Sequence, residues 1–392
     1  MIQTSINTIS RVAFRRLLLL LGILLLLQTA FAQAPVPVFP LGADGYACYR
    51  IPALLALPDG RLLAFAEGRK NNCQDFGNVD IVLKTSRNGG KTWSAIRVLV
   101  DSDSLQAGNC APVLDRLDPE YPQGRIFLFY NTGNATEHEV MQGRGLREVW
   151  HISSTDGGNT WSAPVNITRQ THRPGSPPYN DPADWRGYAN TPGHAIQLTQ
   201  PPYRGRIFVA ANHTEGPPKS NWGNCFSHGF YSDDHGKTFR IGESVAVPGS
   251  NEATAAEIPG GGLLINCRNQ ARQPRRRIQA WSTDGGQNWQ NAGYQPELVE
   301  PVCQGTLLTF FDRKKPRLLF LNPNSESRRE NLSLRTSADG GRSWSAGKTV
   351  VAGEAAYSDM ALVGRKRLGI LYEKGSDGGI YFVEWKWQGT GN

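Results

Sequence analysis

The amino-acid sequence predicts an all-β protein built as a β-propeller. One short phrase, in which Ser is followed by Asp or Asn, then by Gly and by a closing Trp or Phe, occurs five times. Its copies begin at Ser86, Ser154, Ser232, Ser282 and Ser337. Short apolar segments precede the copies, and no long stretch has the periodicity of a helix. Short strands and turns that recur along a chain are typical of a propeller, whose closed ring of blades protects the strand edges.

The composition is that of a globular protein rich in turns. The chain has 392 residues, of which 39% are hydrophobic and 19% charged, with 43 Gly and 25 Pro. These values exclude an intrinsically disordered chain, a collagen and a coiled coil. A propeller can use a chain of this length as a single domain.

The N-terminus has the pattern of a secretory signal peptide. Three arginines precede an apolar run at 17–27, and Ala30-Phe31-Ala32 supplies the small residues that signal peptidase reads. A membrane anchor is the alternative, but the run is shorter than the roughly 20 residues that a spanning helix needs. The sequence therefore predicts a signal peptide at 1–32, a single domain at 33–392, export to the periplasm or the medium, and no membrane span after cleavage.

Each copy of the repeated phrase predicts a hairpin turn. Its Asp can accept hydrogen bonds from backbone amides ahead of it, its Gly can adopt positive φ, and the closing aromatic residue can pack beneath the turn. Asn88 replaces Asp in the first copy and can accept the same bonds. The turns are therefore expected to be scaffold and not catalytic groups.

The strands are predicted from apolar runs bounded by turn residues. Those directly before the turns lie at 80–84, 149–152, 229–231 and 277–281. Further strands are predicted at 62–66, 125–130, 206–210, 263–266, 318–321, 368–372 and 381–385.

The basic residues do not have a nucleic-acid-binding pattern. The formal net charge is +8, and a basic tract lies at 272–277. The tract has no interleaved aromatic residues and lies between two predicted strands, so a solvated loop is expected. Nucleic acid is therefore not an expected partner.

The cysteines leave their pairing open. There are six of them, Cys48, Cys73, Cys110, Cys225, Cys267 and Cys303. An exported chain permits up to three disulfides, although Cys is also a common small buried residue. None of the six forms a CxxC pair, so a zinc site is not expected.

A set of motifs in a fixed order resembles one family of enzymes. The phrase Tyr49-Arg50-Ile51-Pro52-Ala53-Leu54-Leu55 precedes the repeated turns. The other motifs are, in chain order, Phe65-Ala66-Glu67-Gly68-Arg69, Asp75-Phe76-Gly77, Asn251-Glu252, Asn266-Cys267-Arg268-Asn269, Cys303-Gln304-Gly305, Arg329-Glu330-Asn331-Leu332 and Tyr357-Ser358-Asp359. With the repeats, they resemble the exo-α-sialidase (neuraminidase) family with Asp-box, or BNR, repeats, of the bacterial and animal type in glycoside hydrolase family 33. The resemblance runs from Tyr46 to Trp385 and implies a six-bladed propeller with its active site on the central axis.

The resemblance implies three arginines that bind the substrate carboxylate. Sialic acid carries a carboxylate on its anomeric carbon, and guanidiniums suit it because they are permanently charged and offer paired planar donors. By the resemblance these residues are Arg50, Arg268 and Arg329. Arg328 is the competing candidate for the third role, but Arg329 has the spacing of the family motif.

The resemblance also implies the catalytic residues. Tyr357 matches the nucleophile, and Glu252 matches the base that takes the phenol proton. Glu257 is the competing candidate for the base and is disfavoured, because strand periodicity places it on the opposite face from Glu252 unless a bulge intervenes. Asp75 matches the acid/base that protonates the leaving oxygen and then activates water, while Asp80 is expected to be structural.

Three supporting roles follow in the same way. Arg69 is expected to line the pocket near the acetamido or C4 side of the sugar. Glu373 resembles the acid that orients the first arginine, a role that a Glu at the end of a buried strand also needs for its own charge. Tyr188, in the segment 184–194, is a candidate substrate-binding residue. No metal and no cofactor are expected.

The implied function is an exo-α-sialidase, which hydrolyses terminal α-linked sialic acid of glycoproteins, glycolipids or oligosaccharides. It would retain configuration through a covalent tyrosyl intermediate. The alternatives are a trans-sialidase or an intramolecular trans-sialidase, hydrolysis of a related nonulosonate that lacks the acetamido group, and a non-catalytic Asp-box propeller that binds glycan or protein. The motifs leave linkage preference and oligomeric state open.

Overall fold

The computed structural model describes residues 34–174, 181, 184–218, 223–312, 315–364, 367–375 and 378–386. The predicted signal peptide at 1–32 lies outside these residues. Val36–Asn392 forms one compact unit.

Strands dominate the described residues. In chain order, the strands are β1 (Val36–Phe39), β2 (Cys48–Ala56), β3 (Leu62–Arg69), β4 (Val79–Ser86), β5 (Arg97–Val100), β6 (Gln106–Asp115), β7 (Arg125–Gly133), β8 (Arg147–Ser154), β9 (Val165–Asn166), β10 (Arg186–Asn190), β11 (Ile196–Gln197), β12 (Ile207–Thr214), β13 (Cys225–Ser232), β14 (Arg240–Ile241), β15 (Ser250–Ile258), β16 (Gly262–Asn269), β17 (Arg276–Ser282), β18 (Gln290–Val299), β19 (Thr306–Asp312), β20 (Lys315–Pro323), β21 (Glu330–Ser337), β22 (Lys348–Glu354), β23 (Ser358–Gly364), β24 (Arg367–Glu373) and β25 (Ile380–Lys386). The predicted strands are all present.

Among the described residues, two short helices and one turn of 3₁₀ helix accompany the strands. They are α1 (Glu137–Met141), α2 (Thr168–Thr171) and the 3₁₀ turn Pro259–Gly261. Within the described residues, none of the helices has the length and apolar character that a membrane crossing requires.

The strands of the described residues form six consecutive antiparallel blades, which are in order β2–β5, β6–β9, β10–β14, β15–β18, β19–β22 and β23–β25 with β1. Four sheets are separate, and the fifth combines β2–β5 with β6–β9 through a single parallel pair, Val79 and Gln106. The last blade takes its outer strand from the other end of the chain, because β1 pairs with β25. The predicted β-propeller is therefore confirmed, and the ring closes by joining its first strand to its last blade.

The blades pack on one another face to face. One core cluster joins Phe129 of the second blade to Phe230 of the third, and another joins Leu321 of the fifth blade to Ile370 of the sixth. Inner strands are consequently buried on both faces, and all eight residues of β3 are buried. This explains why these strands appear in the sequence as continuous apolar runs.

The repeated phrases form the predicted turns, which we call Asp-box turns. In the second copy, Ser154 Oγ donates to Asp156 and accepts from the Gly158 backbone N–H at 2.8 Å, and Asp156 also accepts from Thr160. Slight burial acts against the charged form, but the bonds from Thr160 and Ser154 lower the pKa of Asp156 to about 2. Each turn is thus fixed by its own side chains.

The Asp-box turns also connect neighbouring blades. A Cβ built on Gly90, whose φ is +86°, would lie 2.1 Å from the ring of Phe382 in the last blade. A Cβ on Gly286 would meet Phe208 of the preceding blade at 2.3 Å. Glycine is required at these positions both by the backbone conformation and by the close approach of the adjacent blade.

The cysteines form one disulfide. Cys48 at the start of β2 is bonded to Cys73 in the loop between β3 and β4. The other four cysteines are free and buried. The sequence had left both arrangements open.

The basic tract is partly a structural element. Arg277 is fully buried, donates to Asn266 Oδ1 at 2.6 Å and pairs with Glu300 at 2.9 Å. Glu300 in turn accepts a hydrogen bond from the Asn269 backbone N–H. The prediction of a solvated loop is therefore correct for the start of the tract only. Arg277, the last residue of the tract, is buried and forms hydrogen bonds at the end of β16.

Candidate active site

A polar pocket of about 370 Å³ gathers the predicted site residues. Its lining includes Arg50, Arg69, Asp75, Tyr188, Glu252, Arg268, Arg329 and Tyr357. Glu373 is buried directly behind this lining, in contact with Arg50. The chain thus brings together residues that are up to about 320 positions apart in the sequence.

Tyr357 lies between an acid and a cation. Its hydroxyl donates to Glu252 Oε1 at 2.5 Å and accepts from Arg268 Nη1 at 2.7 Å. The same Arg268 nitrogen donates to Glu252 Oε2 at 2.7 Å. The three groups form a closed hydrogen-bonded triangle, in which Glu252 can take the phenol proton while Arg268 stabilises the oxygen that loses it.

The environment of Tyr357 keeps its phenol protonated at rest. Burial raises its pKa well above the usual value of about 10, the Arg268 guanidinium opposes this, and the Glu252 carboxylate adds to the rise. Spontaneous ionisation at neutral pH is therefore negligible. The phenol becomes a nucleophile only when a partner base takes its proton.

Arg50 is fixed by Glu373. Arg50 donates to the two Glu373 oxygens from Nε at 3.1 Å and from Nη2 at 3.0 Å. Glu373 also accepts from the Ile51 backbone N–H at 2.8 Å and from the Tyr357 backbone N–H at 3.3 Å. The carboxylate therefore sets the position of the guanidinium and of the Tyr357 backbone together.

Arg329 and its neighbour Arg328 have different environments. The Arg329 guanidinium lies 5.3 Å from the centroid of the Tyr357 ring and donates to the Val302 carbonyl at 3.1 Å. The Arg328 side chain is 77% exposed and pairs with Glu330. The structure thus places Arg329, and not Arg328, in the pocket.

Glu252 and Glu257 have different environments. The pairing of β15 with β16 shifts register between Ser250 and Ala253, and Glu252, which lies in this irregular part of the strand, lines the pocket. Glu257 is buried elsewhere and accepts hydrogen bonds from Thr199 and Gln200. The hydrogen bonds of Glu257 give it a structural role.

Asp75 lies at the exposed mouth of the pocket. Its side chain is 75% exposed, and it pairs with Arg69 at 2.9 Å and with Arg50 at 3.7 Å. Partial desolvation acts to raise its pKa, but Arg69 and Arg50 outweigh this and lower it. These two cations therefore favour the ionised form of Asp75. A bound anion at Arg50 would offset this effect and favour its protonated form.

Glu67 is a site residue that the sequence reasoning did not single out. It is fully buried, pairs with Arg69 at 2.7 Å and accepts from the Asn109 backbone N–H at 2.9 Å. Burial raises the pKa of Glu67, and Arg69 opposes the rise. Its position two residues before Arg69 in an apolar strand was the available signal, because a buried acid needs a cationic partner.

The wall of the pocket also includes polar residues outside the predicted set. Arg147 donates to Gln106 at 2.8 Å and to Glu137 of α1 at 2.9 Å. No motif marked these residues in the sequence. Tyr188 also belongs to this wall, but its side chain is buried and its hydroxyl lies 3.2 Å from His228 Nε2, with its ring stacked on His172. Its contact with substrate stays a prediction.

One group in the described part of the chain has the residue types of a metal site. Asp115, Asp118 and His235 have ligand atoms within 4.8 Å of one another. His235 lies 2.8 Å from Asp115, and Asp118 accepts from Arg125 at 2.8 Å. Because the Arg125 guanidinium disfavours a second cation, this group is best described as an ion-pair network between two blades.

The chain is similar in sequence to known proteins. A model of the BNR repeat-like domain family matches residues 60–370. The chain is 31% identical over 382 residues to a sialidase of Micromonospora viridifaciens, an alignment that covers 88% of this chain and 55% of that protein. The chain belongs to the BNR repeat-like domain family. It spans little more than half of that relative's length.

Solved structures of similar fold include a sialidase and a trans-sialidase. The Hadza microbial sialidase Hz136 matches this chain with a TM-score of 0.76 and 26% identity, over 90% of this chain and 68% of that one. The intramolecular trans-sialidase of Ruminococcus gnavus matches with a TM-score of 0.70 and 16% identity, over 91% and 98%. The second likeness concerns the fold alone.

Proposed function

We propose that this protein is an exo-α-sialidase that removes terminal α-linked sialic acid from glycoproteins, glycolipids or oligosaccharides, with retention of configuration. The observation that carries the proposal is the Tyr357 hydroxyl, which is hydrogen-bonded to both Glu252 and Arg268 in a pocket that also contains Arg50 and Arg329. The sialidases among its relatives support the same activity.

The three arginines would bind the substrate carboxylate. Arg50 and Arg329 lie 5.1 and 5.3 Å from the centroid of the Tyr357 ring, and Arg268 contacts its hydroxyl. An anion held by all three guanidiniums would therefore sit beside the phenol oxygen. This arrangement brings the anomeric carbon, which carries the carboxylate, within reach of the nucleophile.

The first displacement forms a covalent intermediate. Glu252 takes the phenol proton as the Tyr357 oxygen attacks the anomeric carbon. The bond from that carbon to the leaving oxygen breaks, and protonated Asp75 donates its proton to this oxygen.

The second displacement releases the sugar. Asp75, now ionised, takes a proton from a water molecule, and the water oxygen attacks the anomeric carbon. The bond to the Tyr357 oxygen breaks, and Glu252 returns its proton to the phenolate. Two inversions at one carbon restore the starting configuration.

A tyrosine suits this substrate better than the carboxylate nucleophile of most retaining glycosidases. A carboxylate about 4 Å from the substrate carboxylate would face roughly 4 kcal/mol of repulsion at an effective dielectric constant of about 20. That repulsion equals about three powers of ten in rate. A neutral phenol avoids it in the ground state.

The test is hydrolysis of a fluorogenic aryl α-sialoside by the native protein and by Tyr357→Phe. We expect turnover by the native protein and a loss of about three orders of magnitude or more in the variant, because the nucleophile is removed. Tyr294→Phe, at an exposed tyrosine, is the matched control and should stay within about twofold of the native rate. More than a tenth of native activity in Tyr357→Phe would contradict the proposed nucleophile.

A fluorinated substrate tests the intermediate directly. A 2,3-difluorinated sialic acid should add one sugar mass to the intact protein, and peptide mapping should locate the adduct on Tyr357. An adduct on another residue would overturn the assignment. NMR of the first-formed product separates hydrolysis from the alternatives, since an anhydro sugar or a transferred sialoside would indicate a trans-sialidase.

The same proposal includes export. The pattern at 1–32 would direct the chain out of the cytoplasm, where sialylated glycoconjugates are accessible. N-terminal sequencing of the exported protein should find a start close to residue 33. A mature chain that still begins at Met1 would contradict this part of the proposal.

A further inference from the structure

We propose that the disulfide between Cys48 and Cys73 positions Asp75 and thereby sets how well the enzyme cleaves sialosides whose leaving group needs a proton. The inference rests on the proposed function, in which Asp75 is the acid/base. It assigns a positioning role to two cysteines outside the reacting groups.

Asp75 lies in an exposed loop between β3 and β4. The loop closes where the Lys70 backbone N–H donates to the Asn78 carbonyl at 3.0 Å, and Asn71, Asn72 and Gln74 are exposed. Because the Asp75 side chain is itself 75% exposed, little packing fixes its position. A general acid in such a loop needs another form of restraint.

The disulfide supplies a restraint from the rigid part of the blade. Cys48 is fully buried in β2, two residues before Arg50, and its Cα pairs with that of Arg69 on β3. The bond from Cys48 to Cys73 therefore joins the loop, two residues before Asp75, to the strand that carries the first carboxylate-binding arginine. Arg69 Nη1 adds a hydrogen bond to the Cys73 carbonyl at 2.6 Å.

Ion pairs alone restrain Asp75 poorly during the reaction. The ion pair of Asp75 with Arg69 is open to solvent on the Asp75 side, where the side chain is 75% exposed, and water weakens the attraction between such charges. The second partner, Arg50, is already 3.7 Å away, and in the proposed complex it binds the substrate carboxylate instead. Asp75 is also uncharged whenever it is protonated to act as the general acid, and it then forms no ion pair. The covalent link keeps its restraint in every protonation state.

Two substrates with different leaving groups can distinguish a displaced Asp75 from a general loss of protein stability. An alkoxide, as in a sialyl-lactose, is a strong base and leaves only if Asp75 protonates it, whereas a phenolate leaves with little help. A displacement of about 1 Å in a catalytic group can cost roughly 10²-fold in rate. Loss of the disulfide should therefore slow cleavage of the alkyl sialoside far more than cleavage of an activated aryl sialoside.

The experiment compares kcat/KM on sialyl-lactose and on the aryl sialoside for the native protein and for Cys48→Ala/Cys73→Ala. We expect a fall of about 10-fold or more on sialyl-lactose and less than about threefold on the aryl sialoside. Cys225→Ala, at a free buried cysteine of another blade, is the matched control and should leave the ratio of the two rates unchanged. An equal fall on both substrates would overturn the proposal, because misfolding lowers both alike.

A second comparison uses Asp75→Ala. In that background, removal of the disulfide should change the sialyl-lactose rate by no more than about twofold, because the group that it positions is gone. A full 10-fold loss there would show that the disulfide acts on something other than Asp75. If the double cysteine variant does not fold, Cys73→Ala alone gives the same comparison. Absence of aryl turnover in the native protein would contradict the proposed function itself and not the role of the disulfide.

Discussion

Glu373→Gln removes one charge from the contact that fixes Arg50. Each Glu373 oxygen accepts two hydrogen bonds, one from the Arg50 guanidinium and one from a backbone N–H, of Ile51 or of Tyr357. In either orientation, the new amide NH₂ faces two donors, so two hydrogen bonds are lost. Glu373 is 1% exposed, so water cannot replace them.

The expected cost follows from these contacts. Two lost bonds to a buried charged group correspond to about 3–5 kcal/mol, and the lower end applies because Asp75 still lies near Arg50. For a domain of this size, that is a fall in Tm of roughly 5 °C. Displacement of Arg50 should also lower kcat/KM on an α-sialoside by about 10²-fold.

Thermal unfolding and steady-state kinetics of the purified variant test both parts. Glu384→Gln is the matched control, since Glu384 pairs with the half-exposed Arg367 at 3.2 Å, and its cost should be below about 1 kcal/mol. Equal Tm values for the two variants would refute the stability estimate. A lower Tm with an unchanged kcat/KM would refute the positioning of Arg50.

Three further outcomes are expected. Arg329→Ala should lower kcat/KM on an α-sialoside by about 10²-fold or more, while Arg328→Ala should stay within about twofold of the native value. Equal losses in the two variants would show that Arg329 does not have a special role at the substrate carboxylate. Arg69→Met removes the nearest cation that lowers the pKa of Asp75. The alkaline limb of the pH profile of kcat/KM on sialyl-lactose should therefore move to higher pH. An alkaline limb at the native pH would contradict this prediction. Asp156→Ala should lower Tm by a few degrees at pH 7. The difference in Tm from the native protein should shrink as the pH falls from about 4 towards 2, because the ionised form of Asp156 that the turn stabilises is then lost. A difference in Tm that does not change with pH would contradict this role of the Asp156 carboxylate.

Local sequence patterns were sufficient for the elements of the fold. The Asp-box turns are recognisable because their hydrogen bonds join residues within about four positions of one another, as between Ser154 and Gly158. The strands are recognisable because they are buried on both faces. The choice of Arg329 over Arg328 came from its position in the family motif, and the structure places the Arg329 side chain in the pocket and leaves that of Arg328 exposed.

The site contained features that local patterns could not supply. Glu252 lies at a register shift in β15 that the sequence motifs did not indicate. Glu67 and Arg147 acquire their partners only when β3, β6 and α1 come together. The disulfide partner of Cys73 depended on which strand lies beneath its loop.

The sequence by itself determined the type of each element and the identity of the residues that the motifs mark, because turns, strands and motif spacing depend on near neighbours along the chain. Tertiary structure decided the distances between those residues. Arg50 meets Glu373 across 323 positions, and Tyr357 meets Glu252 across 105. The ring of blades that brings these residues together closes where β1 pairs with β25. Closure of a ring depends on the packing of all its blades at once, which no single segment encodes.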